Sequence, residues 1–462
     1  MAKPTPLSGF PELLPEQRFV EQQVIDTLRR TFELHGFAGI ETRAVEPMEQ
    51  LLRKGETSKE VYVLRRLHET DSDADSGTGL HFDLTVPFAR YVLENAGKLE
   101  FPFRRYQIQR AWRGERPQEG RYREFTQADI DVVGQGELPF HHDVEVAKVM
   151  IDALSRLEFL PAFRLQVNNR KLIQGFYTGV GVGDVDEAMR VIDKLDKVPA
   201  ETVRRMLVDD VGLSDAQADQ CLALASIRST DDSFVEQVRA LGVDHELLDE
   251  GLAELAELVR GCAPLVSERV AIVADLSIAR GLDYYTGTVF ETRLVGSESL
   301  GSICSGGRYD TLADDGRTTY PGVGISLGVS RVLVPLFNKG LLTADRSVPS
   351  AVLVALTDDE SRPASDAVAT ALRANGVPCE VAASPQKFGK QIRYAERRGI
   401  PYVWFTGSDG GHEVKDIRSG EQVAAVPATW TPPVQDLRPR VVVSTSSTQR
   451  PTSSTSETEQ DQ

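Results

Sequence analysis

Residues 101–134 read FPFRRYQIQRAWRGERPQEGRYREFTQADIDVVG. In the second half of this stretch small or apolar residues alternate with Gln127, Asp129 and Asp131, and the first half alternates in the same way before a loop rich in Arg, Glu, Gly and Pro. Because successive side chains of a strand point to opposite faces, the pattern predicts an antiparallel hairpin with one apolar and one polar face. Two interpretations of the polar face are open: it is solvated, or its amides, carboxylates and Arg113 line a site for a charged ligand.

The composition is that of a soluble globular protein. A length of 462 residues predicts roughly two to four domains. No run of about 18 apolar residues is present, which predicts no membrane span, and the N-terminal residues lack the apolar core of a signal peptide. The cysteines are far apart without metal-ligand spacing, so we expect free thiols in a cytoplasmic protein; they are Cys221, Cys262, Cys304 and Cys379.

The net charge of −17 argues against general nucleic-acid binding. The charge is uneven, however, because residues 351–440 contain eleven basic and eleven acidic residues and sum to zero. Within them one predicted helix carries a basic stripe formed by Lys387, Lys390, Arg393 and Arg397. This stripe is either a solvated surface or a contact for an RNA backbone.

The first hundred residues predict a helix and two short β regions. Apolar residues at helical spacing favour a helix over residues 15–36, and a strand is expected from Phe37 to about Ala44, ending near Pro47. After an acidic loop rich in Gly and Ser, Asp83 and Thr85 share one strand parity.

The predicted secondary structure changes several times in the remainder of the chain. Residues 169–262 are helical in pattern and predict an all-α insertion, and residues 269–339 return to β character before a buried helix that contains Arg331. Residues 351–433 alternate between β and α patterns and predict a small α/β domain. The Ser- and Thr-rich end predicts a disordered tail.

Several local patterns are better explained by structure than by chemistry. The Gly-rich segment 179–184 follows no clear strand and lacks the Lys-Ser/Thr of a phosphate loop, so we interpret it as a helix–helix turn. Cys304 has no evident His or Asp partner and is interpreted as a packed side chain. His141 and His142 lack a third ligand, and no metal site is predicted.

Separated segments of the chain resemble the signatures of one family. WRGERPQEGRYREFTQADID resembles the second signature of the class II aminoacyl-tRNA synthetases, PGVGISLGVSRVLVPL resembles the third, and the helix and strand that end at Pro47 resemble the first. RGLDYYTGTVFE (residues 280–291), SGGRYDTL (residues 305–312) and FDLTVPFARY are similar to peptides characteristic of one class II family, the histidyl-tRNA synthetases. The resemblance covers roughly residues 8–430.

This resemblance implies an α+β fold, in which an antiparallel sheet with flanking helices carries an all-α insertion and is followed by a C-terminal α/β anticodon-binding domain. The boundaries we predict are residues 1–168 and 265–340 for the two parts of the catalytic core, 169–264 for the insertion, 351–433 for the anticodon-binding domain and 434–462 for the tail. The implied reaction joins L-histidine to tRNA(His) through a histidyl-adenylate, with ATP and Mg²⁺, and releases AMP and diphosphate. A homodimer formed in part by the Pro47 region is also implied.

The resemblance also implies a role for individual side chains. Arg113, Arg280 and Arg331 are the expected catalytic cations, because a guanidinium group keeps its charge beside phosphate. The expected histidine-binding residues are Asp83, Leu84, Thr85, Arg113, Gln127, Asp131, Arg280, Tyr284 and Tyr285. The expected ATP-binding residues are Arg113, Glu115, Arg121, Phe125 and Arg331, and the tRNA acceptor end is expected to meet Arg116 and Gln118.

Some alternatives stay open. Parity does not separate Asp129 from Asp131, and only the family comparison selects Asp131, where some relatives carry the longer Glu. A related regulatory subunit that binds histidine without charging tRNA would usually lack the C-terminal domain and depart at the catalytic positions. A synthetase for another amino acid, or another ATP-dependent ligase on the same fold, is disfavoured by the RGLDYY peptide and Asp131.

Overall fold

The computed structural model describes residues 4–52, 60–66, 77–279, 285–407 and 410–444. The chain divides into two compact units. The large unit comprises residues 1–12 and 21–335, and the small unit comprises residues 13–20 and 336–462.

The large unit contains most of the described secondary structure. Its strands are β1 (Ala38–Gly39), β2 (Val45–Pro47), β3 (Val63–Leu64), β4 (Thr78–Leu80), β5 (Phe103–Trp112), β6 (Glu124–Val133), β7 (Phe163–Asn169), β8 (Arg228–Ser229), β9 (Val270–Asp275), β10 (Thr288–Leu294), β11 (Cys304–Tyr309) and β12 (Gly322–Gly328). Its helices are α1 (Pro15–Leu34), α2 (Met48–Leu52), α3 (Thr85–Asn95), α4 (His141–Ser155), α5 (Arg170–Val180), α6 (Val185–Ile192), α7 (Ala200–Asp209), α8 (Asp215–Ala225), α9 (Phe234–Arg239), α10 (Glu246–Cys262) and α11 (Val329–Asn338). Helix α1 begins in the small unit, and α11 ends there.

Nine of the described strands form one mixed sheet in the order β1-β5-β6-β12-β11-β10-β7-β9-β8. From β5 to β7 in this order every neighbouring pair is antiparallel. The pairs β1–β5 and β7–β9 are parallel. A smaller sheet has the order β2-β4-β3. The fold is therefore α+β with a largely antiparallel centre, as the sequence predicts.

The hairpin of β5 and β6 forms with the predicted parity. Its ladder runs without interruption from Phe103 opposite Val133 to Trp112 opposite Glu124. Ala128, Ile130 and Val132 are fully buried on one face of β6, and helix α4 packs against β6 and β12. Burying apolar side chains of this size is the dominant favourable contribution to folding, at about 25 cal/mol per Å².

The opposite face of the hairpin is also buried, which decides between the two interpretations of its polar side chains. Gln127, Asp129 and Asp131 are 8%, 2% and 4% exposed. The guanidinium group of Arg105 lies 4.2 Å from the ring centroid of Phe88 on α3, so this helix helps to cover the face. The interpretation of a solvated face is wrong, and the polar groups need partners inside the protein or from a ligand.

The helices between β7 and β9 are anchored through α10. This helix packs against α5, α4 and the two strands β7 and β9. Its buried stripe includes Leu248, Leu252, Leu255 and Val259, which recur at the spacing of one helical face. One expectation for this region is wrong: the insertion predicted to be all-α contains the short strand β8, which pairs with β9 at the end of the large sheet.

The small unit has its own sheet and core. Its strands are β13 (Leu342–Ala344), β14 (Val352–Val354), β15 (Cys379–Val381), β16 (Tyr402–Thr406), β17 (His412–Asp416), β18 (Gln422–Ala424) and β19 (Val441–Val443), and its helices are α12 (Arg362–Ala374) and α13 (Phe388–Arg398). Strand β14 pairs in parallel with β15 and β16, and β16, β17 and β18 continue in antiparallel order. Fully buried Trp404 lies at the centre of this core. The predicted α/β pattern is therefore present.

Two expectations for the N-terminal β regions are wrong. The strand expected from Phe37 to Ala44 is shortened to β1. At Thr42 side-chain hydrogen bonds replace strand pairing: its hydroxyl accepts a bond from the amide of Gln107 (2.9 Å), and its carbonyl accepts one from the amide of Gln109 (2.8 Å). Thr85 does not continue a strand after Asp83 but begins α3. The carboxylate of Asp83 accepts a hydrogen bond from the backbone amide of Val86 at 3.1 Å and so satisfies one free amide at the helix start.

The expectation of disorder from residue 434 is wrong for residues 434–444. Strand β19 pairs with β13, and Asp436 accepts hydrogen bonds from the hydroxyl of Tyr402 (2.8 Å) and from Arg418 (2.9 Å). Composition alone does not reveal these contacts, because they are made by backbone groups and by single ionic side chains next to a Ser- and Thr-rich end. Residues 445–462 lie outside the described residues.

Candidate active site

Three rows of side chains cross the polar face of β5, β6 and β12. The antiparallel register sets each row, since directly opposed residues on one face lie within contact distance. Read from β5 through β6 to β12, the rows are Arg105–Asp131–Gly324, Gln107–Asp129–Ser326 and Gln109–Gln127–Gly328.

Asp131 is held from two sides. Its Oδ2 lies 2.7 Å from Nη2 of Arg105, which is fully buried. Its Oδ1 accepts a hydrogen bond of 2.8 Å from the hydroxyl of Tyr309 on β11. Burial, with Asp131 as the next cause, raises the pKa of Tyr309 well above its usual value, so the phenol keeps its proton and donates it. The carboxylate is therefore fixed in orientation by a cation and a donor.

Two glycines of β12 make this arrangement possible. A Cβ at Gly324 would lie 2.2 Å from Oδ1 of Asp131, and a Cβ at Gly322 would lie 2.4 Å from the ring of Tyr309. Both distances are far inside van der Waals contact, so any larger residue would displace these two side chains. The glycines form a floor on which Asp131 and Tyr309 lie.

Asp129 and Gln127 form the neighbouring polar group. The hydroxyl of Ser326 donates to Oδ1 of Asp129, and the amide of Gln127 donates to the same hydroxyl at 2.6 Å. Burial raises the pKa of Asp129 to about 7, with Arg105 opposing the shift and Asp131 adding to it. Among the described residues, Oε1 of Gln127 is buried without a hydrogen-bond donor. An acceptor in this state is suited to a cationic group of a ligand.

An open cleft of about 540 Å³ adjoins these rows. Its lining combines three arginines with carboxylate, aromatic, hydroxyl and glycine residues: Arg113, Glu115, Gly120, Arg121, Tyr122, Phe125, Gln127, Ser302, Ile303, Ser305, Ser326, Gly328 and Arg331. Arg113 and Gln127 come from the hairpin and Arg331 from α11, so elements distant in sequence build one cleft.

Arg331 carries the clearest electrostatic signal of the cleft. Burial lowers its pKa, and the positive charges of Arg121 and Arg113 lower it further. Its Nε donates to the carbonyl of Gly120 (2.9 Å) and its Nη1 to that of Ser302 (2.6 Å), which fixes the guanidinium group in the cleft. Three like charges around one space are unfavourable in the free protein, and a polyanion would relieve their repulsion.

Arg113 is oriented by both hairpin and loop. Its Nε donates to the carbonyl of Phe82 at 2.9 Å, and its Cζ lies 5.3 Å from the ring centroid of Phe125. Glu115 lies between two cations, 3.8 Å from Arg113 and 3.6 Å from Arg121. The cleft thus offers separate cationic, acidic and aromatic surfaces within one loop.

Comparisons with known proteins agree on one family. Residues 9–332 match the family model described as histidyl-tRNA synthetase, and residues 350–428 match an anticodon binding domain. The chain belongs to the histidyl-tRNA synthetase family. The histidine–tRNA ligase of Cutibacterium acnes is 59% identical over 453 residues, which cover 96% of this chain and 99% of that protein. The histidine–tRNA ligase of Micrococcus luteus is 60% identical over 457 residues, with the same coverage.

Solved structures agree with this membership. A histidyl-tRNA synthetase from a Nostoc species has a TM-score of 0.81 at 33% identity and covers 92% of this chain and 97% of its own. A Bacillus halodurans protein described as an ATP phosphoribosyltransferase regulatory subunit/histidyl-tRNA synthetase has a TM-score of 0.70 at 22% identity, over 85% of this chain and 97% of its own. The second likeness shows only the fold.

Most of the predicted site residues lie on or beside the polar face. Asp83, with 5% exposure, and fully buried Leu84 precede α3, and Asp83 adds to the negative charge around Asp129. Thr85 is half-buried at the first position of α3. Tyr285 lies near Gly307, where a Cβ would come within 2.9 Å of its ring. The predicted residues that line the cleft itself are Arg113, Glu115, Arg121, Phe125, Gln127 and Arg331.

The predicted tRNA residues lie apart from the cleft lining. Arg116 and Gln118 are exposed on the hairpin loop, where Gln118 and Arg121 exchange backbone hydrogen bonds of 3.1 Å and 2.9 Å. Arg280 and Tyr284 were also predicted in the site, and they lie outside the described residues. Cys304 is buried, and burial raises the pKa of its thiol, which agrees with a packed side chain.

Arg105, Tyr309 and Ser326 lie in the site although our sequence analysis assigned them no role. The parity of β5 that carries Gln107 also carries Arg105, which was a usable signal. The segment SGGRYDTL contains Tyr309 but has no periodicity that points to Asp131. Ser326 can be placed in the site only from the register of β12 against β6, which sets it opposite Asp129.

Among the described residues, no helix is long and apolar enough to cross a bilayer. The same residues contain no group of three His, Cys, Asp or Glu side chains placed to hold a metal ion.

Proposed function

We propose that this protein is an ATP-dependent histidine–tRNA ligase that joins L-histidine to tRNA(His) through a histidyl-adenylate. The observation that carries the proposal is the meeting of a three-arginine cleft with a buried row of amides and carboxylates on one hairpin. A cationic cleft suits the phosphates of ATP, and a buried polar row suits a small polar amino acid. The near-complete match to histidine–tRNA ligases supports both halves.

In the first step, the carboxylate of histidine attacks the α-phosphorus of ATP, and diphosphate leaves. The carboxylate is already ionised at neutral pH, so the step needs no strong base. Catalysis then depends on holding the reactants in line and on stabilising negative charge on the phosphate. We assign Arg113 to the α-phosphate and Arg331 to the γ-phosphate, and Arg280 to a position near the α-phosphate and the histidine carboxylate. Arg121 would contact the phosphates, and Glu115 and Phe125 the adenine.

Magnesium enters this scheme as part of the substrate. Phosphate oxygens and waters supply most ligands of nucleotide-bound Mg²⁺, and a protein contributes one or two carboxylates. Among the described residues, Glu115 is the carboxylate that lines the cleft. Because Glu115 is assigned to the adenine, the ion of MgATP would be held by phosphate oxygens and waters, and no carboxylate of the described cleft lining is assigned to it.

Histidine would lie across the polar rows. Its ammonium group would bind Asp83, Thr85 and the free Oε1 of Gln127, and Leu84 would pack beside it. Its imidazole would meet Asp131 and the pair Tyr284–Tyr285, because a neutral ring offers one donor and one acceptor. Amino acids without such a ring would leave buried polar groups unpaired, which is a strong basis for rejection.

In the second step, a hydroxyl of the 3′-terminal ribose attacks the carbonyl carbon of the adenylate, and AMP leaves. Exposed Arg116 and Gln118 would guide the acceptor end. In the small unit, exposed Lys390 and Arg393 of α13 line a cavity with Arg397 and Tyr394. A concave surface with cations and an aromatic ring favours the RNA interpretation of the basic stripe.

The assembly and location remain part of the proposal. We propose a cytoplasmic homodimer formed in part by the Pro47 region. Large apolar side chains are exposed in or beside the β2-β4-β3 sheet, namely Val45, Leu52, Val63 and Leu64. Exposed apolar groups in one region are typical of an interaction surface. A molar mass of two chains in light scattering would support the dimer, and a single-chain mass would contradict it.

Transfer of labelled histidine to tRNA tests the function. Purified protein with ATP, Mg²⁺ and tRNA(His) should yield acid-precipitable histidine with one AMP and one diphosphate per histidine. Formation of ADP, or no labelled tRNA from folded protein, would contradict the proposal. Histidine binding without charging would instead favour a regulatory paralogue.

A further inference from the structure

Arg105 is a fully buried cation that the proposed reaction does not use. Its side chain has no exposed surface, and its Cζ lies 4.2 Å from the ring centroid of Phe88. Burying a guanidinium group is costly unless a partner compensates the charge. Its close ionic partner is Oδ2 of Asp131 at 2.7 Å, and its Nη1 donates a longer bond of 3.4 Å to Gln107.

We propose that Arg105 is a positioning residue that keeps Asp131 ionised and aimed as the hydrogen-bond acceptor for the imidazole of histidine. This inference rests on the proposed function, because it deepens the role given there to Asp131. Arg105 acts through Asp131, since Asp131 lies between it and the glycine floor of the pocket at Gly324.

The charges around Asp131 support this assignment. Among the described residues, Arg105 comes from β5, Asp129 from β6 like Asp131 itself, and Tyr309 from β11, and β12 adds only Gly324 and Ser326. Asp83, before α3, acts on Asp129, and Tyr285, before β10, acts on Tyr309. One buried cation therefore faces more than one buried carboxylate. The short contact of 2.7 Å pairs Arg105 with Asp131. Burial meanwhile raises the pKa of the neighbouring Asp129 to about 7.

The ionised state matters for recognition. A carboxylate only accepts hydrogen bonds, whereas a carboxylic acid also donates one. Each carboxylate oxygen has two lone pairs, so the contacts of Oδ2 with Arg105 and of Oδ1 with Tyr309 do not by themselves prevent Asp131 from accepting an N–H of the ring. Without the cation, burial would favour a proton on Asp131, and that proton would compete with the imidazole N–H.

Arg105→Met tests the inference through its effect on the KM for histidine. In histidine-dependent exchange of diphosphate into ATP, we expect the variant to raise this KM by about 10- to 100-fold at pH 6.5, the range for one lost charge-assisted hydrogen bond. The ratio of variant to wild-type KM should fall as pH rises to 8.5, because Asp131 ionises again. Using the ratio removes the titration of histidine itself. The KM for ATP and the kcat at saturating histidine should change less than about threefold.

Three further variants separate positioning from a structural role. Arg105→Lys keeps the charge and should recover most of the histidine affinity, with a ratio that does not change with pH. In an Asp131→Asn background, Arg105→Met should add less than about twofold, because its partner is already neutral. If thermal melting shows that Arg105→Met does not fold, Arg105→Gln carries the same expectations.

A ratio that does not depend on pH, or effects of Arg105→Met and Asp131→Asn that multiply, would overturn the role of Arg105 while leaving the proposed function intact. No histidine-dependent exchange by folded wild-type protein would overturn both.

Discussion

A guanidinium group that is removed from water keeps its positive charge. Nearby anions or hydrogen-bond acceptors must therefore replace the solvation that it loses. In the cleft, Glu115 lies between Arg113 and Arg121, and burial together with these two arginines lowers the pKa of Arg331. The free protein therefore holds an arrangement that an anion completes. At the scale of single residues, the repulsion between these arginines already exists in the free protein. A bound phosphate would relieve it, which is the physical reason to expect phosphate binding in the cleft.

The first prediction concerns Arg113. Arg113→Ala should lower kcat/KM for adenylate formation by about 100-fold or more, the usual cost of removing one oriented group that stabilises transition-state charge. The measurement is histidine-dependent exchange of labelled diphosphate into ATP. Arg110→Ala is the matched control, because Arg110 lies near the end of β5, which Arg113 directly follows, but is 60% exposed and pairs with Glu124. Equal losses in the two variants would show that the strand, and not the cleft, is responsible.

The second prediction concerns the pH dependence of stability at Asp129. Burial raises the pKa of this carboxyl to about 7 in the folded protein, against about 3.9 in an unfolded chain. The folded state therefore holds a proton that the unfolded state has lost, and the corresponding stability is present below about pH 4 and is lost as pH rises to about 7. Asp129→Asn should raise the melting temperature relative to wild type at pH 8 by at least about 2–4 °C more than at pH 5.

Asp249→Asn is the control for this measurement, since its carboxylate is 57% exposed. Its melting temperature should follow that of the wild type at both pH values. A larger gain for Asp129→Asn at pH 5 than at pH 8 would reverse the sign and refute the buried proton.

At the scale of elements, the site depends on how closely β12 approaches β6. The third prediction is that Gly324→Ala raises the KM for histidine by about tenfold or more, because a Cβ there would lie 2.2 Å from Oδ1 of Asp131 and would force the carboxylate off its contacts. The KM for ATP should change little, since the cleft arginines lie elsewhere. Gly183→Ala is the matched control, because a Cβ at Gly183 would meet nothing within 4 Å. An unchanged histidine KM would contradict the placement of Asp131.

The elements also show what could be read from the sequence. Alternation predicted the hairpin and put Gln127, Asp129 and Asp131 on one face, because strand parity is a local property. Parity does not show whether a strand face is buried. The face that carries Arg105 is covered by α3, and this packing excludes the solvated-face interpretation. The contact of Tyr309 with Asp131 joins two strands through β12, so it depends on register that no single segment encodes.

At the scale of the whole molecule, the two units differ in charge. Residues 351–440 balance their charges, although the chain as a whole has a net charge of −17. Long-range attraction of an RNA is therefore weak, and contact must rely on local groups such as the exposed cations of α13. Under the proposed function the large unit activates histidine and the small unit contacts RNA, and mutation can test these two roles separately.

The fourth prediction uses this separation. The double variant Lys390→Glu/Arg393→Glu should raise the KM for tRNA in aminoacylation by about tenfold or more and weaken its salt dependence, because two phosphate contacts are lost. Diphosphate exchange without tRNA should stay within about twofold of wild type. Lys415→Glu, outside the lining of the α13 cavity, is the control. An unchanged KM for tRNA would favour the solvated-surface interpretation of the stripe.

The central claim is that the buried polar face of one hairpin selects histidine for activation at the adjoining three-arginine cleft. The most direct test is exchange of labelled diphosphate into ATP by the purified full chain, measured separately with each of the twenty amino acids and without tRNA. The account predicts rapid exchange with histidine and near-background exchange with the other nineteen. Exchange that is absent with histidine, or equally fast with another amino acid, would contradict it.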